Sequence, residues 1–174
     1  MNKITFILGG ARSGKSGFAL KMAKEKTKKA AFVATCQALD KEMKERIRLH
    51  KKQRPKSWKT FEEPKNIASL LKRINLKYDV VIIDCLTLLI SNLMLDGKSQ
   101  KDIEKEISGI LAALNKNRSR SIIVSNEVGL GIVPESRLGR DFRDIAGRMN
   151  QIVAKEANEV FFMASGLPIK IKGE

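Results

Sequence analysis

Ile4-Thr5-Phe6-Ile7-Leu8-Gly9-Gly10-Ala11-Arg12-Ser13-Gly14-Lys15-Ser16 decides the fold. A short apolar run of β type passes without a break into the pattern G-x-x-x-x-G-K-S, and a helical run from Gly17 to Lys26 follows. That order of strand, glycine-rich loop and helix is a P-loop, a cradle for nucleotide phosphates. Glycines let the backbone wrap closely enough for successive N–H groups to point at phosphate oxygens, and the helix N-terminus adds its dipole. The cradle runs through Gly9, Gly10, Ala11, Arg12, Ser13, Gly14, Lys15 and Ser16. Within it the Lys15 ammonium reaches the β and γ oxygens, and the Ser16 hydroxyl is a ligand for Mg²⁺.

Working outward, hydrophobic periodicity gives strands near 3–8, 30–35, 58–62, 79–84, 120–125 and 159–164, and a candidate last strand at 168–172. Helical patterns lie between most of them, including one from Lys98 to Arg118 before the fifth strand. Continuous runs such as Val80-Val-Ile-Ile83 and Ile122-Ile-Val124 belong to strands covered on both faces. Alternation of such strands with helices predicts an α/β fold with a doubly wound, mostly parallel sheet of P-loop NTPase type, in which ligands bind at the carboxyl ends of the strands. At 174 residues the chain is the length of one domain, taken as 1–174.

The 34 Lys and Arg against 19 Asp and Glu leave a net charge of +15, enough to concentrate anionic ligands. The basic residues are scattered, however, and Trp58 and Tyr78 are the only Trp and Tyr, so no aromatic stacking platform is interleaved with them. A lysine-rich surface around a polyphosphate site accounts for the charge, with no nucleic-acid partner expected. No apolar stretch approaches the roughly 20 residues of a membrane-spanning helix. Met1 to Leu8 has too short an apolar core for a signal peptide and reads as the first strand, which makes the cytoplasm the expected location. Cys36 and Cys85 each follow a predicted strand and lack the spacing of a metal site or redox pair, as reduced packing residues do.

Tyr78-Asp-Val-Val-Ile-Ile-Asp84 is an apolar strand ending in a carboxylate, the arrangement with which a P-loop protein holds Mg²⁺. Asp84 joins Ser16 as the second metal-side residue. Asn126 and Glu127 end the next strand, and Glu127 suits a base, an outer contact to the metal or a cap on its own loop. His50 is the only histidine. On a helix from about Asp40, Leu39, Met43, Ile47 and His50 fall within about 80° of one another, with Lys41, Lys44, Glu45, Arg48, Lys51 and Lys52 opposite. By itself that stripe makes His50 a core or boundary histidine. Arg46, one turn earlier, shares its face, which would keep the ring neutral and nucleophilic and give phosphate oxygens a partner.

These residues, read together, resemble a known family. Gly9 to Ser16, Ala34-Thr35, Asp40 to His50 as D-x-E-M-x-x-R-I-x-x-H, Arg54-Pro55, Trp58-x-Thr60, Asp84-Cys-Leu-Thr87 with Ser91-Asn92-Leu93, and N-E-V-G-x-G-I-V-P-E followed by R-x-F-R-D-x-A-G-R-x-N-Q carry the likeness, which runs from Lys3 to Lys172. They are similar to the bifunctional adenosylcobinamide kinases / adenosylcobinamide-phosphate guanylyltransferases. The resemblance implies phosphorylation of the aminopropanol hydroxyl of adenosylcobinamide with ATP or GTP. It then implies transfer of GMP from GTP, through a guanylyl-histidine, to the phosphorylated corrinoid. His50 occupies the motif position of that nucleophile, which reverses the reading from the stripe alone. The same likeness implies that Ala34, Thr35, Cys36, Lys51, Lys52, Gln53, Arg54, Glu62 and Asp84 line the nucleotide site, and that the protein is a homo-oligomer. A carboxylate such as Glu62 is apt for the guanine N1–H and N2–H₂ edge, though which carboxylate reads it stays open.

Two rival readings use fewer of these residues. A small-molecule kinase without a guanylyl step needs only Gly9 to Ser16 and Asp84, and a basic nucleic-acid-dependent NTPase would use the charge. Cys36 departs from the small Ala or Ser expected there.

Overall fold

The structure, a computed structural model, describes residues 3–38, 41–74, 77–116 and 119–173; the side chains of Glu42 and Arg46 are also outside it. Expectations resting on Leu39, Asp40, Glu42, Arg118 and the side chain of Arg46 therefore fall outside the described residues.

Seven strands and six helices are described in chain order: β1 (Ile4–Gly9), α1 (Lys15–Lys24), β2 (Ala30–Ala34), α2 (Lys41–Lys52), β3 (Lys59–Glu62), α3 (Ile67–Ile74), β4 (Val80–Asp84), α4 (Leu86–Leu95), α5 (Gln100–Lys116), β5 (Arg120–Val124), α6 (Arg137–Glu156), β6 (Glu159–Ala164) and β7 (Leu167–Lys172). The strands form one sheet in the order β3-β2-β4-β5-β1-β6-β7. Pairing is parallel from β3 to β6 and antiparallel only between β6 and β7. The fold is thus the mostly parallel α/β sheet that the continuous apolar runs predict.

Those runs are continuous because both faces are covered. Successive side chains of a strand point to opposite faces. Val81 and Ile83 accordingly enter a cluster with Ile67 and Leu71 of α3, Leu89 and Ile90 of α4, Ile103 and Ile107 of α5 and Met149 of α6. Val80 and Ile82 enter the opposite cluster with Ala19, Leu20 and Ala23 of α1 and with Trp58. The helices follow from spacing: α3 buries Ile67, Leu70, Leu71 and Ile74, and α6 buries Ala146, Met149, Asn150 and Val153, each at i, i+3, i+4 and i+7. The predicted helix from Lys98 is α5, which starts at Gln100 because Ser99 and Asp102 cap it reciprocally: Asp102 N–H donates to Ser99 Oγ and Ser99 N–H to the Asp102 carboxylate. α4, which periodicity did not separate from its neighbours, is a second helix between β4 and β5.

β5 lies between β1 and β4, so the carboxyl ends of three neighbouring strands deliver the phosphate loop, residues 125–127 and Asp84 to one sheet edge. Residues that are remote in sequence meet there.

Candidate active site

The phosphate loop is held from below by the neighbouring hairpin. Gly9 has φ 150°, and a Cβ there would stand 2.5 Å from the Met163 carbonyl oxygen and 2.7 Å from Ser13 Oγ. Gly14, at φ 93°, caps α1 and passes over Gly166, whose N–H donates to the Ser13 carbonyl at 3.1 Å. Only glycine fits both conditions at these two positions. Lys15 is buried, and its ammonium donates to the Gly10 carbonyl at 2.5 Å and to Ser13 Oγ at 3.5 Å. It is therefore aimed along the concave side of the loop.

Asp84, at the end of β4, is the electrostatic focus. Burial raises its carboxyl pKa above the ordinary value, opposed by a hydrogen bond from the Ser16 hydroxyl and by the charges of His50, Arg54 and Lys15. One carboxylate thus has Ser16, the phosphate-loop lysine, the lone histidine and an arginine around it. The next residue, Cys85, is buried, and its thiol is pushed up to about 12, first by burial and then by Asp84. It stays a neutral packing group, as its spacing predicts.

Thr35 braces this point. Fully buried, its hydroxyl donates to the Cys85 carbonyl and accepts from the Cys85 N–H, both at 2.8 Å, while its N–H donates to the Asp84 carbonyl at 3.2 Å. Asn92 of α4 then ties two chain segments together, its amide donating to the Thr35 carbonyl at 2.9 Å and the Pro64 carbonyl at 3.1 Å. Deeper in the same edge, Thr87 Oγ1 and Ser125 Oγ lie 3.0 Å apart, Asn126 N–H donates to Thr87, Ser125 donates to Asn150, and Asn150 donates to the Asn126 carbonyl. This lattice fixes the ends of β4 and β5.

Beside the focus, α2 brings His50 in its last turn. Met43, Ile47 and His50 are half-buried and Lys41, Lys44, Glu45, Arg48, Lys51 and Lys52 are exposed, as the stripe predicts. Arg54 lies with its guanidinium 3.6 Å over the Phe32 ring and a nitrogen 3.4 Å from Thr60 Oγ1. Burial lowers its pKa, countered by Asp84 and Glu62. Lys51 and Glu62 form an exposed ion pair on the rim. A cleft of about 520 Å³ opens along α1, lined by Gly17, Leu20, Lys21, Lys24, Glu25 and Gln53.

The structure thus brings Gly9 to Ser16, Asp84, His50 and Arg54 together and places Lys51, Gln53 and Glu62 around them. Ala34 is a buried strand residue in register with Asp84, Cys36 is half-buried with its sulfur 3.8 Å from the Gln37 carbonyl, and Thr35 is a brace. The Glu127 carboxylate accepts from Gly129 N–H at 2.7 Å within its own loop. Sequence reading missed Glu25 in the cleft and the ties made by Asn92 and Asn150. The signal was present for both: each is an amide amid buried apolar helix residues, which needs buried partners.

Among the described residues no group of three His, Cys, Asp or Glu could hold a metal ion alone. The hydroxyl–carboxylate pair Ser16 and Asp84 instead suits Mg²⁺, which binds through one or two carboxylates together with substrate phosphates and water.

Comparison with known proteins adds a family. The model of cobinamide kinase / cobinamide phosphate guanyltransferase matches residues 5–171. The bifunctional adenosylcobalamin biosynthesis protein CobU of Escherichia coli K12 is 40% identical over 178 residues, spanning 95% of this chain and 98% of that protein. CobP of Pseudomonas aeruginosa, similarly described, is 42% identical over 168 residues, spanning 97% and 96%. A KaiC-like protein from Pyrococcus horikoshii OT3 shares the fold, with TM-score 0.53 and 15% identity over 92% of this chain and 70% of that one.

Proposed function

The chain belongs to the cobinamide kinase / cobinamide phosphate guanyltransferase family, and we propose that both of its reactions use one phosphate loop, with His50 carrying GMP between donor and acceptor. It is an enzyme of adenosylcobalamin biosynthesis, a phosphotransferase and a nucleotidyltransferase on nucleotide substrates. The observation that carries the shared site is the sheet edge itself: Asp84 ends β4 in register with Ala34, one strand away from the β1 phosphate loop across β5, with Ser16, Lys15, Arg54 and His50 around its carboxylate.

In the kinase step, Gly9 to Ser16 hold the triphosphate of ATP or GTP and Lys15 draws charge from the transferring group. The aminopropanol hydroxyl of adenosylcobinamide attacks the γ-phosphorus and the nucleoside diphosphate leaves. In the guanylyl step, the His50 ring nitrogen forms a P–N bond with the α-phosphorus of GTP as the bond to the bridging oxygen breaks and pyrophosphate departs. A phosphate oxygen of adenosylcobinamide phosphate then attacks the same phosphorus. The P–N electron pair returns to the imidazole, and adenosylcobinamide-GDP is released. Ser16 and Asp84 would hold Mg²⁺, which when bound neutralises phosphate charge.

Guanine preference in the second step would come from a carboxylate at the ring edge, Glu62 on the rim or Glu25 in the α1 cleft. Lys51, Lys52, Gln53 and Arg54 follow His50 and would line the same nucleotide. The chain acts as one domain, 1–174, in the cytoplasm and without a nucleic-acid partner; among the described residues no helix is long and apolar enough to cross a membrane. A homo-oligomer is supported by β7, an edge strand whose Leu167, Ile169 and Ile171 are exposed along one face.

Incubation with adenosylcobinamide, Mg²⁺ and GTP should give first the phosphate and then the GDP derivative, followed by mass spectrometry. Folded protein that makes neither refutes the reading. Phosphate alone reduces it to a kinase.

A further inference from the structure

The established chemistry requires a bulky acceptor, yet the nucleotide residues leave its body without a surface. Adenosylcobinamide is a broad macrocycle around cobalt, with the adenosyl group on one face, ring carbons and methyl groups that give it much apolar surface, and carboxamide arms around its edge. Only the end of one side arm reacts. A matching surface would be apolar, lie at the phosphate-loop end of the sheet, and be edged by both donors and acceptors.

One segment meets all three conditions. The loop from β5 to α6 leaves directly from the phosphate site, with Glu127 N–H donating to the Gly9 carbonyl at 3.0 Å. Beyond that point Leu130 is 79% exposed, Ile132 97%, Val133 59% and Leu138 57%. The loop that shows them is pinned. Glu127 caps Gly129, Arg140 donates to the carbonyls of Pro134 and Glu135, and Ser136 caps α6 by accepting from Gly139 N–H. Aliphatic side chains held outward by polar ties at their base are a prepared surface.

α6 continues it. Leu138, Asp141, Ile145 and Arg148 recur at helical spacing on one face, and a cleft of about 420 Å³ opens there against Met94 and Lys98. Asp144 also lines it, and Arg148 reaches Gln100 across it at 2.9 Å. Carboxylates and cations together supply acceptors for amide N–H₂ and donors for amide carbonyls. Asn150, bonded to Ser125 and Asn126, fixes its turn of α6 level with the carboxyl end of β5. At about 1.5 Å per residue, Arg148 to Asp141 stand roughly 3–13 Å beyond that end, on the phosphate side.

We infer that the apolar loop 128–138 and the polar cleft on α6 form one platform for the corrin macrocycle, from which the reactive arm reaches the phosphate loop. This rests on the proposed function, because it takes cobinamide as the acceptor. A second copy of the chain is the competing occupant, and β7 offers that copy a separate strip with a free strand edge.

The test measures cobinamide phosphorylation, GTP-dependent self-labelling and molecular size for the wild type, a Leu130→Ser/Ile132→Ser double variant and Asp144→Ala. Both replaced apolar side chains are exposed, so folding is spared. The platform predicts that the KM for cobinamide rises about tenfold in the double variant, the ratio expected for the loss of roughly 1.4 kcal/mol of apolar contact. Asp144→Ala raises it in the same direction, while KM for GTP, self-labelling and oligomer size are unchanged. An unchanged cobinamide KM, or a smaller oligomer with an unchanged KM, overturns the platform and gives the loop to a second copy or to neither. A wild type that never phosphorylates cobinamide overturns the functional reading, and the platform with it.

Discussion

Replacing Thr35 by Val removes one hydroxyl with almost no change of shape, and the hydroxyl is the brace of the Asp84 turn. Thr35 is fully buried, and Cys85 is only 7% exposed. The change leaves the Cys85 N–H without its partner and takes a donor from the Cys85 carbonyl. An orphaned buried donor costs about 1–3 kcal/mol, and the second lost bond about 1 kcal/mol more, for about 2–4 kcal/mol in all. In a chain of this size each kcal/mol moves Tm by about 2–4 °C, so thermal unfolding followed by circular dichroism should show a drop of about 4–16 °C. Thr35→Ser keeps the hydroxyl and removes only a methyl, a loss of about 1 kcal/mol. The valine variant should also phosphorylate cobinamide more slowly at saturating nucleotide, since Cys85, the residue next to Asp84, loses both of its bonds to the hydroxyl. A valine variant melting within about 2 °C of wild type, or a serine variant that falls as far, would refute the brace.

Lys15→Ala should lower both activities by at least about 100-fold, because in the proposed role its buried charge meets the transferring phosphate, one of the larger electrostatic contributions; near-normal phosphorylation in a coupled assay contradicts this. Burial raises the Asp84 pKa above 3.8, so its ionisation opposes folding: the contribution favouring the fold is whole below pH about 3.8 and is lost as pH rises through the folded value. Asp84→Asn should therefore raise the urea midpoint at pH 7, with the gain shrinking toward pH 4, while activity is lost; a lower midpoint at pH 7 counts against it. Duplex or single-stranded nucleic acid should bind weakly and release by about 0.2 M salt, as phosphate-only contacts do; tight binding there in a polarisation titration would restore the nucleic-acid reading.

Most of the frame was legible because it rests on local chemistry. The run from Ile4 to Ser16 is continuous in sequence and remains so in space, and strands buried on both faces carry unbroken apolar runs that need no alignment to find. His50 was placed on the correct face of α2 by a 100° step, yet the stripe alone made it a packing residue. Its nearness to Asp84, 34 residues on and delivered by a different strand, is a meeting that no local period records. Thr35, Asn92 and Asn150 were hidden for the same reason. Their hydrogen bonds bind elements far apart in sequence, so composition marks them only as polar residues in apolar company. Glu127 shows the converse: three roles were open, and the contact found, a bond from an amide two residues away, is the local one that sequence spacing could anticipate.

The central claim is that His50 carries GMP as a phosphoramidate, and the most direct measurement is transfer of label from GTP to the protein itself. Wild-type protein incubated with Mg²⁺ and GTP labelled at the α-phosphate, without corrinoid, should retain label after denaturation. That bond should be labile to acid and stable to alkali, and the label should leave the protein when adenosylcobinamide phosphate is added before denaturation. His50→Ala should take up none while still phosphorylating adenosylcobinamide. Label that persists on His50→Ala, or its absence from the wild type under conditions that yield adenosylcobinamide-GDP, contradicts the account.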